Sequence, residues 1–135
     1  MKHIYLDACI LIYLIEKHPD HYPKIKATLD SLPEYQLAVS PLLRMEVLVK
    51  PLQDGNTLLQ RRYEDFLAQQ IWLSIPETVY EQALQLRATH RLKTPDALHL
   101  AIARYHGCTD FWTNDDRLNT AAGDLAVNVL ADAGG

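Results

Sequence analysis

The stretch "IYLDACILIYLI" (residues 4–15) decides how this chain folds. It is apolar almost throughout, yet it carries one ionisable residue, Asp7. A carboxylate in so apolar a segment is costly to bury alone, so Asp7 must pair, cap a helix or bind a metal ion. "HIYLD" reads as a short strand that is apolar on both faces, as in the centre of a parallel sheet. "ACILIYLIEKH" reads as a helix that Pro19 stops.

The same grammar continues outward. "YPKIKATLDSL" is a second, amphipathic helix, and "YQLAVS" is a strand. Ser40-Pro41 is an N-cap followed by proline at the first helical position, so "PLLRMEVLVK" opens as a helix. Asp54-Gly55-Asn56 ends it. "TLLQRRYEDFLAQQ" is a polar-faced helix, "IWLSI" a strand and "PETVYEQALQLRATHRL" a long helix. Thr94-Pro95 repeats the N-cap and proline device before "DALHLAIARYHG", where Gly107 is a natural stop. "DFWT" is a strand, "NDDRLNTAAG" a short helix or loop, and "AVNVL" the last strand. Strands alternating with helices predict an α/β fold, a parallel sheet covered on both faces. A chain of 135 residues has the usual size of one domain, here taken as residues 1–135.

Composition narrows the function. A 48% share of hydrophobic residues supports a real core. A formal net charge of -4 gives no overall basic footprint, which disfavours nonspecific duplex binding but leaves a local basic groove open. Asp7 and Glu16 interrupt what would otherwise resemble a signal peptide, and no small-residue cleavage site follows. No apolar run reaches the roughly 20 residues needed to span a bilayer. A cytoplasmic location away from the membrane is expected. Cys9 and Cys108 form no CxxC pair, and the histidines are scattered, so the pattern reads as buried thiols in a reducing compartment rather than a zinc site.

In open α/β sheets, ligands bind outside the carboxyl ends of the strands. Asp7 ends the first strand. Asp115 lies just past "DFWT". Glu46 stands about one turn into the helix after "YQLAVS", and Asp96 lies in the first turn of its own helix. Each has a local explanation. Asp7 is a good N-cap. Asp96 gains about 0.3–1 kcal/mol from the helix dipole. Asp115 and Asp116 suit a turn. Glu46 resists such accounts, because its helical neighbours at about 100° per residue are Leu42, Leu43 and Val49. Arg44, two residues away, faces elsewhere. If the four acids converge, each close pair repels by about 4 kcal/mol at ~4 Å and an effective dielectric near ~20. Only a cation relieves that, and oxygen ligands select Mg²⁺ or Mn²⁺. Such ions activate water and stabilise charge on a phosphoryl group, so the chemistry implied is metal-assisted phosphodiester hydrolysis.

The ordered set "YLDACILIYLIE", "VSPLLRMEVL", "LKTPDALHLA" and "FWTNDDRL" resembles a PIN domain, and in particular the small VapC-type toxins of type II toxin–antitoxin pairs. The likeness covers nearly the whole chain. It implies a three-layer α/β/α sandwich, a Mg²⁺- or Mn²⁺-dependent endoribonuclease, a homodimer, an RNA substrate and inhibition by a cognate antitoxin. Asp7 matches the family's first acid, Glu46 the second, Asp96 the third and Asp115 the fourth, and these four are the implied catalytic and metal-binding residues. Thr113 and Asn114 match the polar pair before the fourth acid, and Asp116 is its alternative. Cys9 departs from the Ser, Thr or Asn often found there, and a thiol is a poorer hydrogen-bond partner.

Other residues have plainer readings. His99, one turn after Asp96, reads more readily as a packed helical histidine than as a phosphate contact or proton shuttle. Lys93 and Arg91 lie nearest Asp96 and are the best candidates for RNA phosphate contacts. Arg44, Lys50, Arg61, Arg62 and Arg104 read as solvated faces. Tyr13, Tyr63, Tyr80 and Tyr105 read as core or interface. A phosphoacceptor domain would want an adjacent acid pair after the first strand, whereas "YLDAC" has one acid. A degraded nuclease that only binds RNA or protein fits poorly with four acids retained. A nuclease of RNA maturation rather than a toxin remains open at this level.

Overall fold

The structure, a computed structural model, describes residues 1–130. A parallel sheet is built from β1 (Lys2–Leu6), β2 (Tyr35–Val39), β3 (Ile71–Trp72), β4 (Asp110–Trp112) and β5 (Ala126–Val127), in the order β3-β2-β1-β4-β5. The helices are α1 (Ala8–Ile15), α2 (Tyr22–Ser31), α3 (Pro41–Gln53), α4 (Thr57–Ala68), α5 (Glu77–His90), α6 (Thr94–Tyr105) and α7 (Asp116–Ala122).

β1 is central, as its two apolar faces predict. Ile4 and Leu6 point into one core with Leu37, Val39 and Trp112, closed by α1 to α4. Tyr5 points into the other with Ala38 and Phe111, closed by α5 to α7. The result is the α/β/α sandwich that the resemblance implies. The path explains the division. From β1 to β2 to β3 the chain steps one way, carrying α1 to α4 on one face. From β3 it returns across the sheet to β4, beyond β1, and carries α5 and α6 on the other face. Right-handed crossovers require that change of face when the direction reverses. The reversal also leaves a crevice between the carboxyl ends of β1 and β4, the usual ligand position in such sheets.

Local signals hold with two adjustments. Ser40 caps α3, its Oγ accepting from the Leu43 N–H at 3.2 Å. Thr94 is not the cap of α6. Lys93 takes that place with extended backbone and no side-chain bond, and Thr94 is already helical. The turn between α5 and α6 runs only from Arg91, which is left-handed (φ 56), to Lys93, and the extended residue that must precede the helix falls at Lys93, one position before Thr94. The outer strands are also shorter than "IWLSI" and "AVNVL" predict, because each pairs with one neighbour over two residues.

Ile4 lies fully buried in the middle of the sheet, whereas Gln36 faces solvent on β2. Ile4→Ala is expected to cost about 2–5 kcal/mol in urea denaturation, and Gln36→Ala to stay within about 0.5 kcal/mol. Equal effects would contradict the assignment of β1 to the double-faced core.

Candidate active site

The crevice at the switch point is a cleft of about 440 Å³, lined by Asp7, Glu46, Asp96 and Asp115, with Cys9, Lys93, Pro95 and Asn114 beside them. Four acids separated by most of the sequence thus share one opening. Each is set there by a local device.

Asp7 ends β1 and caps α1. Its Oδ1 accepts from the Ala8 N–H at 2.8 Å, and its Oδ2 accepts from the Thr113 hydroxyl at 2.7 Å. The backbone agrees, since the Asp7 N–H donates to the Trp112 carbonyl at 2.9 Å. Capping therefore coexists with a place in the cleft. Thr113 is buried directly beneath, and its hydroxyl oxygen also accepts from the Asp115 N–H at 3.2 Å. Asp115 caps α7, its Oδ1 accepting from the Leu118 N–H at 2.8 Å. Asp116, the first residue of α7, does not line the cleft, which favours Asp115 as the fourth acid.

Glu46 leaves α3 toward the cleft and meets His99 Nε2 of α6. Val49 lies exposed rather than on a buried stripe with Glu46, so it is this contact, not an apolar surround, that holds the carboxylate. Arg44 instead pairs with Glu64 at 3.4 Å. Asp96, on the first turn of α6, makes no hydrogen bond among the described residues. Burial pushes its carboxyl above the usual range, and the charges of Asp7, Asp115 and Glu46 push it further, with His99 opposing them. The acids are thus close enough to feel one another.

The donor set fits a hard cation. Cys9 donates weakly to Asp7 Oδ2 at 3.7 Å, and its pKa is pushed up to about 11, first by burial and then by Asp7. In the metal-free protein it therefore stays a thiol. Among the described residues no three acid, cysteine or histidine side chains stand ready to enclose an ion. Carboxylates spaced around open volume suit Mg²⁺ better than zinc, because Mg²⁺ keeps several of its waters.

The remaining candidates separate clearly. Lys93 and Asn114 reach the cleft. Arg91 does not line it; its carbonyl accepts from Arg117 at 3.4 Å while its backbone closes α5. Tyr63 is buried and donates to Glu16 at 2.5 Å. Arg62 and Arg104 hold backbone carbonyls of Ile15 and of Ala121 and Ala122. His99 is fully buried yet touches an acid of the cleft, which its helical spacing alone does not reveal. Tyr5, a phenol between Ile4 and Leu6 in the central strand, is the sequence signal for a buried polar partner there.

A three-layer α/β sandwich whose switch point gathers four carboxylates places an oxygen-rich cleft where such sheets bind their ligands. The chain belongs to the PIN domain family, whose model matches residues 4–124. Solved structures agree in fold. A chain of a toxin–antitoxin complex from Klebsiella pneumoniae is 26% identical, with 93% of this chain and 97% of that chain covered and a TM-score of 0.75. A chain of VapBC2 from Rickettsia felis bound to a promoter DNA fragment is 16% identical, with 93% and 98% covered and a TM-score of 0.73. The Mycobacterium tuberculosis toxin VapC20, described as cleaving the sarcin-ricin loop, is 18% identical, with 90% and 95% covered and a TM-score of 0.70. No curated protein sequence matches the chain.

The crowding of Asp96 has a thermodynamic consequence. Its folded pKa is raised, so the native state holds its proton to higher pH than the unfolded chain does. Stability is therefore lost as pH rises from the unfolded carboxylate pKa through the folded one, and stays lost at neutral pH. In metal-free buffer Asp96→Asn is expected to melt above wild type at pH 7, and the two should converge in acid where both carry a neutral side chain. A variant that melts below wild type at pH 7 would show that the neighbouring acids do not burden Asp96.

Proposed function

We propose that this protein is a divalent-metal-dependent endoribonuclease, using Mg²⁺ or Mn²⁺, and the toxin of a toxin–antitoxin pair. The observation that carries the reading is the meeting of Asp7, Glu46, Asp96 and Asp115 in one cleft of a PIN fold. The toxin role draws on the similar chains, one from a toxin–antitoxin complex, one from VapBC2 and one a toxin described as cleaving the sarcin-ricin loop. A cognate antitoxin, a homodimer, a cytoplasmic site of action and a single domain over residues 1–135 complete the reading. Among the described residues no helix is long and apolar enough to cross a membrane.

The chain's own groups divide the work. Asp96, without a hydrogen bond among the described residues, is the carboxylate most available to the ion, and Asp7, Glu46 and Asp115 complete the oxygen donors. A bound Mg²⁺ or Mn²⁺ supplies activation of water and neutralises charge on the phosphoryl group. Thr113 keeps one oxygen of Asp7 oriented and braces the turn to Asp115. Asn114 offers amide donors at the rim, and Asp116 supports the start of α7. Lys93 places a positive charge among the acids, where it attracts an RNA phosphate that would otherwise be repelled. Arg91, outside the cleft wall, contributes at most to a longer RNA path.

Asp7→Asn, Glu46→Gln, Asp96→Asn and Asp115→Asn are each expected to lose at least about 100-fold in RNA cleavage while circular dichroism stays native. EDTA should stop wild-type cleavage of purified total RNA, and Mg²⁺ or Mn²⁺ should restore it. Cleavage that persists in excess chelator would sink the metal-dependent reading, and full activity of any one variant would remove that acid from the site.

A further inference from the structure

Behind the cleft, outside the four acids, lies a buried chain of hydrogen bonds. His99 Nδ1 meets the Tyr5 hydroxyl at 2.5 Å, and the Tyr5 hydroxyl meets Ser40 Oγ at 2.8 Å. Ser40 Oγ in turn accepts from the Leu43 N–H at 3.2 Å. Tyr5, Ser40 and His99 are all fully buried. The far end of the chain is the contact between His99 Nε2 and Glu46 Oε1.

We propose that His99 is a positioning residue that aims the Glu46 carboxylate into the cleft through Nε2, with Tyr5 and Ser40 fixing the ring in the one tautomer that can do so. This rests on the reading of Glu46 as an acid of the nuclease site.

The direction of the chain follows from which atoms can donate. An ionised carboxylate only accepts, so Nε2 must carry the hydrogen. In the neutral ring Nδ1 is then an acceptor, and the Tyr5 hydroxyl donates to it. The Tyr5 oxygen is left to accept from the Ser40 hydroxyl. The Ser40 oxygen accepts from the helix N–H of Leu43, which an N-cap must satisfy in any case. Every buried donor and acceptor along this path is used once. Burial, the largest cause, holds the Tyr5 phenol well above its ordinary pKa, so it remains a donor. The opposite tautomer would set a lone pair of Nε2 against the carboxylate. It would also turn the Tyr5 hydroxyl toward Ser40 and leave the Ser40 proton without an acceptor, a costly state at a dry site.

The need for such a clamp lies in the side chain it holds. Glu46 sits on α3 between exposed Met45 and buried Val47, and a glutamate free to turn loses rotamer entropy when it is ordered. His99 lies one turn after Asp96 on α6. The same helix therefore presents the third acid and fixes the second, which locks their spacing across two layers of the fold.

The test uses the full-length protein, Mg²⁺ and an RNA oligonucleotide containing a site that wild type cuts. His99→Ala is expected to lower kcat about 10–100-fold with KM for RNA unchanged, the usual loss when a group that orients a metal ligand is removed. His99→Gln, which keeps an N–H able to reach Glu46, should recover much of that loss. Tyr5→Phe keeps the ring stacked on Phe111 (centroids 5.7 Å apart) but removes the hydroxyl, and it should lower kcat by a smaller factor. Nitrogen NMR of His99 should show the single Nε2–H tautomer in wild type and a mixture in Tyr5→Phe. Full activity in His99→Ala beside an inactive Glu46→Gln overturns the positioning role and leaves the nuclease reading standing. Full activity in Glu46→Gln removes that acid, and the proposal with it. An Nδ1–H tautomer in wild type overturns the proposal whatever the kinetics. Should His99→Ala fail to fold, Tyr5→Phe decides: a mixed tautomer with unchanged kcat counts against positioning.

Discussion

The hydrogen bond from the Thr113 hydroxyl to Asp7 is the constraint on which the site depends. At 2.7 Å it ties the residue that ends β1 to the residue that follows β4, across the place in the sheet where the strand order reverses. The Asp7 N–H closes the same junction from the backbone side through the Trp112 carbonyl. Thr113 then reaches forward to the amide of Asp115. One hydroxyl thereby sets the first acid and the approach to the fourth. The apolar strands alone would leave both carboxylates free to turn toward solvent.

The remaining two acids come from opposite layers. α3 carries Glu46 and α6 carries Asp96, and the sheet between them keeps the helices at a set distance. Proximity is bought with electrostatic strain, most evident at Asp96, where burial and three like charges all favour the protonated form. A fold optimised for stability alone would not gather these groups. The protein tolerates them because the strain is confined to one solvent-open cleft, while the polar groups buried behind it, Tyr5, Ser40, His99 and Thr113, are hydrogen-bonded. Cys9 contributes little to this conflict, since its thiol remains neutral.

Much of the fold was legible from periodicity and punctuation. The doubly apolar "HIYLD" marked the central strand, Ser40-Pro41 marked the start of α3, and Asp54-Gly55-Asn56 marked its end. What misled was chemistry that local patterns share. Thr94-Pro95 carries the same letters as a cap and a proline, but the short turn after left-handed Arg91 moved Thr94 inside the helix. Val49 shares the helical phase of Glu46, yet it lies exposed. Sequence distance also favoured Arg91 as well as Lys93, although only Lys93 faces the cleft.

Sequence by itself determined the alternation of strands and helices, the central place of β1, and the identity and order of the acids. Those properties are local: they depend on side-chain type, turn chemistry and position relative to a strand end. The tertiary structure decided which acids meet, that Asp115 rather than Asp116 turns inward, and that Asp7 caps a helix while it lines a cleft. It also decided the partners of His99, since Tyr5 reaches it from β1 and Glu46 from α3, with Ser40 behind Tyr5. A hydrogen-bond chain joining β1, the start of α3 and α6 has no spacing signature, because its members lie as many as 94 residues apart and meet only when both layers close on the sheet.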